Sequence, residues 1–292
     1  MKNFLRLGFS AWLSIASITA EAQNKNRDYN GSLLWEVSGN GLSKPSYITG
    51  TFHTLCSKDF EIKPKVLKAL DKTENFMLEV NFTDPSEISA VQAMFQAEKK
   101  ISDQVTADEA KEYDNILKGY GTNLKNVDHY MPQALYSLLS SKILSCPPAE
   151  ARMYDIELLK IAMQHKKNIA GLEKIADQTN ILGQAYGLKE VMQQLKLGHE
   201  YAVCAQKMIE AFKKEDLQAL DKLIRDKRFM DAKQGKIILD ERNKSWTEKM
   251  PDIMRKQSTF FAVGSGHLLG DNGLIHLLTK KGYTVKPVVQ LQ

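Results

Sequence analysis

The chain has 292 residues, 43% hydrophobic and 26% charged, with 17 Gly and 8 Pro; these ordinary globular values exclude collagen, a disordered tail and a disulfide-dense miniprotein. A net charge of +5, from 40 basic against 35 acidic residues, is mild and evenly spread, which argues against a nucleic-acid partner. Three cysteines without a C-x-x-C exclude zinc ribbons and thioredoxin-like redox chemistry.

Residues 1–22 read as a cleavable signal peptide. Lys2 and Arg6 make the positive start, residues 7–18 the apolar middle, and Ala20-Glu21-Ala22 the small-x-small site, so the cut is expected between Ala22 and Gln23. The apolar run is shorter than the roughly 20 residues a membrane span needs, and no later run is long enough. The expectation is a periplasmic or secreted protein, a single domain over 23–292. In an oxidising compartment Cys56, Cys146 and Cys204 can form one disulfide. The pairing stays open; Cys56 with Cys146 is a guess, because Cys204 lies in a helical pattern.

Further along, Leu33-Leu34-Trp35-Glu36-Val37 and Ser46-Tyr47-Ile48-Thr49 read as strands, and Gly39-Asn40-Gly41 between them signals a hairpin. Residues 64–72 read as a short helix and 75–81 as an apolar strand. Asp84-Pro85 is a helix start, a cap followed by proline at the first helical position. Helical periodicity then runs over about 84–165 and, after a short strand at 168–172, over about 174–257. Thr259-Phe260-Phe261-Ala262-Val263 is a strand, 272–281 a helix and 283–288 a last strand. Strands at both ends and helices between them predict an α/β fold: a central mixed sheet formed from N- and C-terminal strands, with a large helical insertion in the middle.

Four polar residues stand at or just after strand ends: His53, Glu79, Glu173 and His267. In open α/β sheets ligands bind beyond the carboxyl ends of the strands, so these four can converge. The two histidines share a form, Gly50-Thr51-Phe52-His53 and Gly264-Ser265-Gly266-His267. Gly50 and Gly264 permit a sharp turn or a close backbone approach there. A third G-x-x-H, ending at His276, opens a helical pattern and reads as a helix face. Either histidine alone could merely bond a carbonyl, and Glu173 also suits the start of the following helix. Glu79 on so apolar a strand needs a partner; Asn81, two residues on, shares its face. Arg242 and Trp246 share a helix face at i, i+4, and Arg242 offers a fixed positive charge for a carboxylate or a developing oxyanion. His53, His267 and Glu79 form a chemically reasonable ligand set for a divalent transition metal, which would lower the pKa of bound water to about 7; a carboxylate acting as general base is the other use of such a site. The absence of H-E-x-x-H excludes an ordinary zincin.

These residues carry a resemblance. From Leu33 through Lys44-Pro45-Ser46-Tyr47 to His53, then Glu79, Asp155, Gly171-Leu172-Glu173 with Gln178, Glu241-Arg242-Asn243 with Trp246, and Val263 through Leu268 to Gly282-Tyr283, the chain resembles the TraB/GumN family, related to the Tiki proteins. The match spans nearly all of 23–292, with little signal between about 84 and 145. The resemblance implies a site made of the paired G-x-x-H motifs, the strand glutamate and the arginine. The expected metal ligands are His53, His267 and Glu79; catalytic roles are expected for Glu79, Arg242 and Glu173, and support from Gly50, Gly264, Asn81 and Asn243. Tiki relatives look like proteases using manganese or cobalt to trim a secreted signalling protein. Other relatives are linked to pheromone shutdown and polysaccharide gene clusters, and distant kin include erythromycin-esterase-like and haem-binding proteins.

The leading expectation is therefore an exported metal-dependent hydrolase, a peptidase acting on a peptide or secreted protein, with Mn²⁺ or Co²⁺ implied and Zn²⁺ also suitable. The alternatives are a non-catalytic peptide- or haem-binding protein using the same site, and a metal-free esterase-type hydrolase with one histidine as base.

Overall fold

A computed structural model describes residues 31–290; the expected signal peptide lies outside the described residues. Among the described residues eight strands are present: β1 (Leu34–Ser38), β2 (Ser46–Thr51), β3 (Leu55–Cys56), β4 (Asn75–Val80), β5 (Ala151–Arg152), β6 (Asn168–Glu173), β7 (Thr259–Gly264) and β8 (Thr284–Pro287). Six form one mixed sheet in the order β6-β4-β7-β2-β1-β8. Strands β6, β4, β7 and β2 run parallel, and β1 pairs antiparallel with β2 and β8. The fold is α/β, with the N- and C-terminal strands interleaved and the helices inserted between them, as the strand pattern predicts.

Local chemistry explains this order. Gly39, Asn40 and Gly41 take φ of 77°, 47° and 82°, the left-handed conformations a tight hairpin turn requires. Phe260, Phe261, Ala262 and Val263 are all fully buried. A continuous apolar run suits a central parallel strand covered on both faces, and β7 lies between β4 and β2. Phe76 of β4 stacks on Phe260 at a centroid distance of 6.1 Å. Asp84 caps the helix Pro85–Ala93 by accepting from the Ser86 N–H.

The two long helical stretches are more broken than their periodicity suggests. The 174–257 stretch opens with four helices, Ile175–Ala185, Leu188–Lys196, Gly198–Lys213 and Leu217–Ile224. The last break has a tertiary cause. Glu215 takes φ of 54° and turns its buried carboxylate under β1, where Oε1 accepts from Leu33 N at 2.9 Å and Oε2 from Lys65 Nζ at 2.8 Å. The 84–165 stretch contains strand β5, absent from the sequence reading. It pairs with β3, Cys56 opposite Ala151. Beside this pair Cys56 and Cys146 are joined in a disulfide with Cα atoms 5.9 Å apart; Cys204 is a buried free thiol. Leu117, Leu135, Val191 and Leu195 form a second apolar cluster in the helical region, apart from the cluster on the sheet. Among the described residues no helix is long and apolar enough to cross a membrane.

Candidate functional site

Parallel strands bring their carboxyl ends to one edge, so Glu79 in β4, Glu173 at the end of β6, and the segments leaving β2 and β7 share one rim. His267 sits in a short 3-10 turn, Ser265–His267, directly after β7. Two glycines permit this junction through lack of volume rather than positive φ. A Cβ on Gly50 would lie 2.8 Å from Leu268 Cδ1 and 3.1 Å from Ser265 Cα. A Cβ on Gly264 would lie 3.3 Å from Glu79 Oε1, 3.7 Å from His267 Cδ2 and 4.0 Å from His53 Nε2. Glu79, His267 and His53 therefore surround one small cradle.

Arg242 organises the rim. It is 8% exposed and begins the second position of the helix Glu241–Lys256, which continues a π-helical turn at Lys236–Asp240. Nη2 donates to Glu79 Oε2 at 2.5 Å and to Glu173 Oε1 at 2.6 Å, while Nε donates to Glu173 Oε1 at 3.0 Å. Nη1 donates to Ile238 O at 3.2 Å and to His267 Nε2 at 3.0 Å. A guanidinium has five N–H donors, and every one here is committed. Trp246 Nε1 donates to Glu173 Oε2 at 3.0 Å, and its ring lies 4.7 Å from the guanidinium carbon, a cation–π contact at the predicted i, i+4 spacing.

The two imidazoles are held in related ways. Arg242 has no acceptor atom, so the bond to His267 Nε2 makes that nitrogen the acceptor; Nδ1 carries the proton and donates to Asn243 Oδ1 at 2.7 Å. Asn243 Nδ2 in turn donates to the carbonyls of His267 and Asn272. Across the cradle, His53 Nδ1 bonds Asp155 Oδ2 at 3.3 Å, which leaves Nε2 toward Gly264. His267 is buried, whereas the His53 side chain is 76% exposed at the open mouth.

Titration follows from this geometry. Burial, then the neighbouring Arg242 charge, pushes His267 down to about 3, so it is neutral. Burial alone would raise Glu79, but the charges of Arg242 and His53 and the Gly264 N–H outweigh it and bring it to about 2. The Asp155 hydrogen bond holds His53 above the usual histidine range.

His53, Glu79, Arg242, Asn243, Gly264 and His267 thus meet as expected. Glu173 is placed behind Arg242, 6% exposed, and reaches the cradle through the guanidinium. Asn81 serves its own turn: Oδ1 accepts from Thr83 N and Oγ1, because β4 has ended at Val80 and the alternation that would align Asn81 with Glu79 has stopped. Asp155 and Gln178 belong to the site without having been assigned roles from the sequence. Gln178 Nε2 donates to Glu79 Oε2 at 3.2 Å. The available signal was a carboxylate and an amide near helix starts, which also suits ordinary capping.

For a divalent metal the donor chemistry fits. Each histidine has its Nδ1 held by a side-chain oxygen, the arrangement typical of metal-ligating imidazoles. Glu79 and Glu173 pair with Arg242 and Asp155 with His53, which leaves three carboxylates against two cationic groups, a remainder of the sign a dication needs. The spacing is looser: among the described residues no three His, Cys, Asp or Glu side chains stand together as a ready ligand group, and the His267 Nε2 lone pair is engaged by Arg242.

The fold and rim define an α/β protein with a His–Glu–Arg site at the carboxyl edge of a mixed sheet. Residues 33–287 match the TraB/PrgY/gumN family, and the chain belongs to it. Neither the curated proteins nor the solved structures gave a significant match.

Proposed function

We propose that this protein is an exported, divalent-metal-dependent hydrolase that cleaves peptide bonds. The observation that carries the reading is the convergence of His53 Nε2, Glu79 Oε1 and His267 on the cradle beside Gly264, at an edge open to two cavities. His53 and Glu79 would hold the metal, and His267 would join them only if its Nε2 were released from Arg242; Mn²⁺ or Co²⁺ is the family expectation and Zn²⁺ the other candidate. When bound, such a metal supplies Lewis acidity and a water of lowered pKa.

The chain's own residues do the rest. Asp155 holds the His53 ring so that Nε2 faces the cradle. Asn243 fixes the His267 tautomer. Arg242 keeps Glu79 ionised, and Glu173 with Trp246 keeps Arg242 in place. The positive field of Arg242 at the rim favours negative charge developing on a substrate carbonyl, although its N–H groups are occupied. In the net reaction, hydroxyl adds to the carbonyl carbon, the carbon–nitrogen bond breaks, and the departing nitrogen takes the proton.

A metal-free reading is favoured by the Arg242–His267 bond, which engages one ligand nitrogen. In it His53 Nε2, oriented by Asp155, takes the proton from water at a pH above its raised pKa and returns it to the leaving group. The disulfide supports an oxidising compartment, in keeping with the expected export.

The test is turnover of a mixed peptide library by metal-stripped protein, with and without Mn²⁺, Co²⁺ or Zn²⁺, beside His53→Ala. Metal-dependent turnover lost in the variant is expected. Chelator-insensitive turnover lost in His53→Ala selects the metal-free reading. No turnover under any condition, with peptide or haem still bound, leaves the non-catalytic binder.

A further inference from the structure

Two cavities meet at the rim. The smaller, about 250 Å³, is walled by Leu78, Phe82, Ile156, Ile181 and Leu182. The larger, about 400 Å³, is walled by Phe52, Tyr186, Tyr201, Met208 and Phe229. They share His53, Glu79, Ile238 and Arg242 as a common wall, so the polar row lies between two apolar chambers. Together they fall in the roughly 300–1,000 Å³ range of ligand sites.

The partition has a structural cause. Ile238 belongs to the π-helical turn, and its carbonyl accepts from Arg242 Nη1. Such turns are uncommon and cluster at functional sites. Here the turn places an apolar side chain and the arginine on the boundary between the chambers.

Charge bears on what enters. Among the described residues neither chamber is lined by a lysine, and the charged groups at the boundary are already paired: Glu79 and Glu173 with Arg242, Asp155 with His53. A chain terminus next to the reacting bond would bring an α-amino or α-carboxyl charge out of water without a free partner, which is costly. Backbone, by contrast, is provided for. Thr51 is 1% exposed, its Oγ1 has no hydrogen-bond partner among the described residues, and it lines the larger chamber beside His53. A buried hydroxyl with donor and acceptor capacity suits peptide groups better than a hydrocarbon chain.

We propose, building on the hydrolase reading, that the substrate is an internal stretch of polypeptide with a large apolar side chain on each side of the bond cut. One side chain occupies each chamber, and the larger chamber takes an aromatic one. Ile181 and Met208 are specificity-determining residues, each for one side.

The experiment uses peptides with acetylated and amidated ends carrying Phe or Leu, Gly, Lys or Glu on either side of a central bond, with products mapped by mass spectrometry. Cut-site preference is read for the unaltered protein, Ile181→Arg and Met208→Arg, each checked by circular dichroism. Apolar flanks should raise turnover at least about tenfold on each side, within the 10–200-fold that apolar pockets supply per methylene. Each arginine variant should shift preference toward Glu on one side only. Turnover that requires a free terminus, or ignores the flanks, overturns the proposal while leaving the hydrolase reading intact. Binding of the same blocked peptides is measured by calorimetry. Apolar peptides that bind tighter than charged ones yet are never cut remove the hydrolase reading and keep the chamber assignment. Peptides neither bound nor cut remove both.

Discussion

Arg242 Nη1 donates to His267 Nε2 at 3.0 Å, which couples the cation of the central helix to the imidazole at the end of β7. The bond fixes the histidine as neutral. It also joins the Glu79–Arg242–Glu173 ion cluster to the cradle, so charge at the strand ends and the state of the imidazole are one system.

Removing Arg242 should therefore damage the fold as well as the site. Arg242→Met leaves Glu79 and Glu173 as buried carboxylates without their cation, a loss of about 3–5 kcal/mol. Urea unfolding measures it. A change under 1 kcal/mol would mean that water already solvates these carboxylates.

Trp246→Phe keeps the ring over Arg242 and removes the indole N–H bonded to Glu173. Leaving that buried acceptor short of a partner costs about 1–3 kcal/mol. A thermal melt at neutral pH shows it as a lowered Tm. Unchanged stability would place Glu173 in contact with solvent.

Acid should destabilise the protein in two steps. His267 has a folded pKa of about 3 against 6.5, so the unfolded chain binds the proton first, and stability falls as pH drops from 6.5 toward 3. Glu79, at about 2 against 4.5, contributes stability above 4.5 that is lost as pH falls through 2. Urea midpoints taken across this range should decline, and His267→Gln should flatten the upper part. A flat wild-type profile between pH 6.5 and 4.5 contradicts a buried neutral imidazole.

The Cys56–Cys146 bond and the β3–β5 pair tie the segment after His53 to the segment before Asp155. With the cysteines 90 positions apart in sequence, the chain-entropy contribution is up to about 4–5 kcal/mol, and measured values are commonly about 2–4. The double variant Cys56→Ser, Cys146→Ser should lose stability in that range and lower turnover beyond the unfolded fraction, because Asp155 no longer holds His53. Turnover that scales only with the folded fraction would confine the bond to stability.

Gly264→Ala puts a methyl group among Glu79, His267 and His53 at 3.3–4.0 Å. Metal binding, read as the rise in Tm on adding Mn²⁺, Co²⁺ or Zn²⁺, should fall at least tenfold in affinity while the apo Tm changes little. Undiminished binding would move the metal elsewhere.

Much of the sheet was legible in the chain, since apolar runs bounded by Gly, Asn and Pro mark strands by local physics. The same holds for the strand-end positions of His53, Glu79, Glu173 and His267, and for the Arg242–Trp246 pairing. Strand β5, the π-helical turn and the role of Glu215 were not legible. A two-residue strand has no periodicity, a π turn differs from an α-helix by one hydrogen-bond step, and Glu215 is explained only by Lys65 and Leu33 across the fold. Asn81 misled because alternation was extended one residue past the strand.

By itself the sequence determined which segments are strands and helices and which residue types stand at strand ends, because these depend on neighbours a few positions away. Tertiary structure alone decided that Asp155 orients His53, that Arg242 spends every donor within the protein, and that two apolar chambers flank the row they form. Those relations join residues up to 163 positions apart, and only the packing of parallel strands and inserted helices sets the distances between them.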